Sequence, residues 1–108
     1  MASASTVRAR EIPVHIKVDP VTGDISVVPN KFRISKNQFQ EVQWTCDYDF
    51  VVSFNKNGSP FYESQFDQDN PCSGLPLRIG TGDGDARPYD YSVTVGNRTL
   101  DPQGVVDP

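Results

Sequence analysis

Metal-ligating side chains are scarce in this chain: one histidine, two cysteines and a single methionine, which is residue 1. Blue copper needs two imidazoles and a thiolate, usually with an axial thioether, and that set cannot be assembled here. Zinc fares no better. Cys46, Cys72 and His15 would leave a fourth position unfilled, and neither Cys-x-x-Cys nor His-x-His spacing occurs. Long apolar runs are missing, so no segment reads as a membrane span. The opening MASASTVRAR has no apolar stretch of signal-peptide type, which points to the cytoplasm if Met1 is the natural start. Basic clusters are absent beyond Arg8-Ala9-Arg10, and a net charge of −4 repels phosphate backbones. Nucleic acid is therefore not an expected partner.

Catalytic signatures are lacking too. No Gly-x-Ser-x-Gly, His-Glu-x-x-His or P-loop is present. His15 falls on the outward parity of a strand with no nucleophile signature nearby and reads as a solvated side chain. The remaining candidates are carboxylates. Asp47 with Asp49, or Asp83 with Asp85, could serve an enzyme that uses a carboxylate pair. With Asp90 the same loops are oxygen-ligand material for a calcium-stabilised adhesive sandwich, although the EF-hand spacing is absent. Solvated carboxylates account for them more simply.

What the chain does have is a β pattern. Its 108 residues suit one domain, with residues 1–10 expected as a flexible N-terminal segment and 11–108 as the folded unit. Only 36% of the residues are hydrophobic, but one Trp, four Tyr and six Phe supply large buried areas. Ile12, Val14, Ile16 and Val18 alternate strictly with polar neighbours, and Pro13 suggests that this strand lies at an edge or begins there. Ile25–Val28, the pair Phe32 and Ile34, the stretch Gln38–Trp44, and Phe50, Val52 and Phe54 follow as strands. Phe39 has the wrong parity, as though its strand starts after it or bulges there. Leu75-Pro76-Leu77-Arg78-Ile79 alternates again. Tyr89, Tyr91, Val93 and Val95 make the clearest strand, and Val105-Val106 can add a short last one. Seven to eight short strands predict an all-β sandwich or barrel.

Three segments together resemble cupredoxin-like domains: Ile25–Pro29 leading to Phe32–Ile34, the strand end Val42-Gln43-Trp44, and the closing Tyr89–Val95. The resemblance covers roughly residues 25–106 and implies a Greek-key β-sandwich. It would place a copper histidine soon after Trp44, where the chain reads Asp47-Tyr48-Asp49-Phe50. It would place the copper cysteine at about Val93 and further ligands in Gly96–Asp101, where none occurs. What the resemblance implies is a metal-free member, with no cofactor.

The expectation is thus a non-catalytic binding or accessory module, with a protein as its possible partner. The stretch from Ser59 to Gly74 has no strand period, and Ser59-Pro60 could open one helical turn. Phe61, Tyr62 and Phe66 sit there among Glu63, Asp67 and Asp69, which makes this connection the candidate interaction surface. The competing reading places the rings in the core, and it is favoured because a small core needs their area. Cys46 and Cys72 are either free thiols or a disulfide, which by loop-closure entropy would contribute about 3–4 kcal/mol. The absence of a visible signal peptide leans toward reduced thiols.

Overall fold

Strands dominate residues 10–55, 58–84 and 86–108, which the computed structural model describes, and no helix occurs among them. In chain order they are β1 (Glu11–Val18), β2 (Ile25–Val28), β3 (Lys31–Ser35), β4 (Glu41–Cys46) and β5 (Val51–Ser53). Then come β6 (Gln65–Asp67), β7 (Tyr89–Asp90), β8 (Ser92–Val95), β9 (Arg98–Leu100) and β10 (Gln103–Asp107). The chain is all-β, in three sheets ordered β2-β1-β4, β3-β10-β7 and β6-β5-β8-β9.

The last two sheets are joined. β8 and β9 form a hairpin around Gly96-Asn97, and its register continues unbroken into the β7–β10 pairing. The ladder lapses at Asp101 and Pro102, the latter with no N–H to give, while the Tyr91 N–H still donates to the Pro102 carbonyl at 3.0 Å. The Tyr89–Val95 run of the sequence is therefore one strand in effect, divided by a single residue. β3 then flanks β10 in parallel, and Ser35 closes its open edge by exchanging hydrogen bonds with Gln40, through its N–H to Oε1 at 2.7 Å and its carbonyl to the Gln40 N–H at 3.1 Å.

The small β2-β1-β4 sheet and the joined layer share one sandwich-like core. Val14, Ile16, Val27, Val42 and Trp44 come from the former; Phe32, Val52, Phe66, Tyr91 and Val93 are among those from the latter. Aromatic rings fill the space between. Trp44 stacks on Phe66 with centroids 5.1 Å apart, and Phe54 stacks on Tyr91 at 4.9 Å. Gly104 lies opposite Phe32 in the β3–β10 register, and its bare Cα makes room for the ring.

Several expectations from the sequence need correction. β1 is the central strand of its sheet, not an edge. Pro13 is tolerated because β2 pairs only with His15–Val18, so β1 has β4 alone as neighbour at that position. Ser59–Gly74 is not wholly irregular, since β6 pairs there with β5 and no helical turn forms at Ser59-Pro60. Leu75–Ile79 is not a strand: Pro76 and Gly80 are buried, while Leu75, Leu77 and Ile79 face out. The strand expected over Gln38–Trp44 begins at Glu41, after Phe39, as that residue's parity allowed; Phe39 itself takes φ 56°, an uncommon conformation for a side-chain-bearing residue. No helix among the described residues is long and apolar enough to cross a membrane. Of the N-terminal segment expected to be flexible, residues 1–9 lie outside the described residues.

Candidate functional site

Strand directions sort the connections between two ends of the domain. β1 and β4 are parallel and start together, from Arg10 and from the turn carrying Phe39. β3 and β10 are parallel and finish at that same end, where the Lys36 N–H donates to the Asp107 carbonyl at 2.9 Å. β5 also finishes there, so residues 58–62 join it. The chain after Ser73 crosses the same region, held by Leu77 N–H to the Pro60 carbonyl at 2.6 Å and by Gly80 N–H to the Val106 carbonyl at 2.9 Å.

This end is apolar. Tyr62 is 90% exposed, Leu77 57% and Phe39 54%, with Leu75 and Ile79 also open to solvent. Five exposed apolar side chains thus lie at this end, against Val21 and Tyr48 at the other, and apolar side chains gathered in this way mark a candidate interaction surface. A shallow hollow here is lined by Arg10, Glu11, Phe39, Glu41 and Leu75. The Arg10 guanidinium lies over the Phe39 ring, 5.8 Å from its centroid.

The opposite end is acidic. It gathers Asp19, Asp24, Asp47, Asp49, Asp67 and Asp69 against Lys17 and Arg98. Half of these carboxylates hold the backbone or a cation. Asp19 accepts from the N–H groups of Val21 and Thr22, Asp67 from those of Asp69 and Asn70, and Asp24 pairs with Arg98 at 3.0 Å. Asp47 and Asp49 are exposed.

The residues singled out in the sequence are divided by this arrangement. Phe66, on β6 opposite Val52, and Phe61, edge-on to Trp44 and Phe54, are both buried, so neither ring is available to a partner. Tyr62 precedes β6 and is exposed; Asp67 is the last residue of β6 and Asp69 lies in the turn that follows it. Glu63 bridges the two through the Asn70 side chain at 3.1 Å. The apolar residues of Leu75–Ile79 were missed as a surface because their alternation suggested a buried strand.

The other candidates hold no assembled site. Among the described residues no three His, Cys, Asp or Glu side chains come together as a metal-binding group. Asp90 accepts a hydrogen bond from the Gln103 amide at 2.8 Å, Asp83 is exposed, and Asp85 lies outside the described residues. His15 Nδ1 is 2.8 Å from Thr45 Oγ1 on the outer face of β1 and β4. Cys46 and Cys72 are free thiols. Cys72 pairs opposite Gln43, whose parity on β4 is opposite to that of Cys46, so the two sulfurs lie on different faces of the sheet. Burial, reinforced by the Glu41 and Glu11 carboxylates, pushes the Cys72 thiol pKa up.

Comparisons with protein-family models, with curated proteins and with solved structures give no match to this chain.

Proposed function

We propose that this chain is a non-catalytic protein-binding module on a metal-free Greek-key β-sandwich of cupredoxin-like type. The fold part is supported by the strand order: parallel β1 and β4 in one sheet, and a chain that leaves that sheet after β2 to become, as β3, the flank of the other layer. The position where the resemblance puts a copper thiolate is Val93, a fully buried core residue. The carboxylates at the acidic end are turn caps, an ion-pair partner and solvated groups, not a gathered catalytic pair.

One observation carries the functional part. Tyr62, Leu75, Leu77, Ile79 and Phe39 are placed on the outside at one end, while the rings available for a core are already packed inside. Exposed apolar groups of this extent cost solubility without contributing to the fold, and a partner surface explains their retention. A photo-cross-linking residue at position 77, in cells that make the protein, should give a discrete, saturable protein adduct that the same residue at position 69 does not. Equal labelling from both positions, or none from position 77, would remove the reading.

A further inference from the structure

We propose that the hollow at the apolar end receives a basic side chain of a partner protein, a lysine or arginine flanked by apolar residues. This rests on the binding-module reading and specifies the chemistry of what is bound. Phe39 and Leu75 supply the apolar part of the hollow, and Glu11 and Glu41 the charge. Those two carboxylates are direct partners in the parallel β1–β4 register, so they stand side by side on one face of the sheet. Like charges so placed repel, and a cation between them relieves that repulsion. Among the described residues neither glutamate is in an ion pair.

Among the described residues, Arg10 is the cation that lines the hollow, and its guanidinium lies over Phe39 and not in an ion pair with the carboxylates. It shows that the ring face accepts a guanidinium. Beside the two glutamates the Cys72 thiol pKa is pushed up, by burial first and then by the same two carboxylates, in keeping with the negative charge that the register gathers there. Leu75 and Leu77, open beside the hollow, are positioned for the apolar residues that flank the cation. The occupant is thus defined by charge and by an apolar contact together, which separates it from a purely apolar segment or an acidic one.

The test is a titration of the nitrogen-15-labelled protein with acetyl-Leu-Arg-Leu-amide, followed by amide chemical shifts. Acetyl-Leu-Glu-Leu-amide and acetyl-Gly-Arg-Gly-amide serve as charge and apolar controls. The first peptide should move the Glu11, Phe39, Glu41 and Leu75 amides saturably, and both controls should bind more weakly. Glu11→Gln and Glu41→Gln, with spectra otherwise unchanged, should each weaken binding roughly two- to five-fold, as expected for an exposed ion pair, and added salt should act in the same direction. Equal binding of the acidic peptide would overturn the basic partner while leaving the binding surface and its cross-link at position 77 intact. Unchanged affinity in both glutamine variants, or no saturable shift, would overturn it also. Shifts at these amides that grow with protein concentration and without peptide would overturn it in favour of a second copy.

Discussion

The Trp44 indole and the Tyr91 phenol pack together in the core, and the polar atom of each, Nε1 and Oη, is buried without a partner in hydrogen-bond geometry among the described residues. Their ring centroids are 5.9 Å apart at 65°. Burial pushes the Tyr91 pKa up to about 12, and the nearby indole N–H offsets only part of that shift. A buried hydroxyl left without a partner costs on the order of 1–3 kcal/mol, so this pair is a weak point in a core that is otherwise apolar.

Tyr91→Phe should therefore be neutral or stabilising near neutral pH. The variant should also differ at high pH. The folded value lies above the unfolded value of about 10, so the folded state holds the proton more tightly. That contribution is complete below about pH 10 and is lost as pH rises through 12, at about 1.4 kcal/mol per pH unit. Urea unfolding from pH 8 to 12 should show a steeper alkaline decline in the native protein than in Tyr91→Phe. Parallel curves would refute the assignment.

Phe66→Ala and Phe61→Ala should each destabilise by about 3–5 kcal/mol, because each removes a buried ring from the aromatic cluster. Tyr62→Ala, between them in sequence but exposed, should stay within about 0.5 kcal/mol. Denaturant midpoints at constant slope measure all three. A loss of several kcal/mol in Tyr62→Ala would mean that this ring packs against the fold.

Strand identity was legible wherever alternation ran through a well-paired strand. Ile12–Val18, Phe32 and Ile34, Val42 and Trp44, and Tyr89–Val95 apart from Tyr91 are strand residues, and most of their apolar side chains point to one core. β6 was hidden because three residues with a single apolar side chain, Phe66, are too short to show a period. β9 was hidden because Arg98 and Thr99 both face solvent. Leu75–Ile79 misled for the reverse reason: its period of two is real, but Pro76 and Gly80 turn inward and the leucines outward. The hollow could not be read at all. Glu11 and Glu41 become neighbours only through a parallel register between strands distant in sequence, and nothing in either local pattern announces it.

Gly104→Ala should be destabilising by about 1–3 kcal/mol or more, because an added Cβ would fall within the Phe32 ring. The conflict is with one side chain, so it should be relieved by shrinking that side chain. In Gly104→Ala with Phe32→Leu, the combined loss should be smaller than the sum of the two single losses. Additive losses in a double-mutant cycle would show that the glycine is needed for its backbone and not for the ring.

Cys72 should react slowly with iodoacetamide, and Glu41 should contribute to that slowness. Burial is the largest cause of its raised pKa, followed by the Glu41 and Glu11 charges and a hydrogen bond to Glu41. The thiolate is the reactive species, so the midpoint of the rate against pH should lie above the ordinary thiol value of about 8.5. Glu41→Gln removes a negative neighbour but leaves the burial, so the midpoint should fall part of the way back. Residue-resolved mass spectrometry separates Cys72 from Cys46. The two thiols, on opposite faces of the sheet, should remain unlinked under mild oxidation. A midpoint at or below the ordinary value, or one that Glu41→Gln leaves in place, would show that the carboxylates do not govern this thiol.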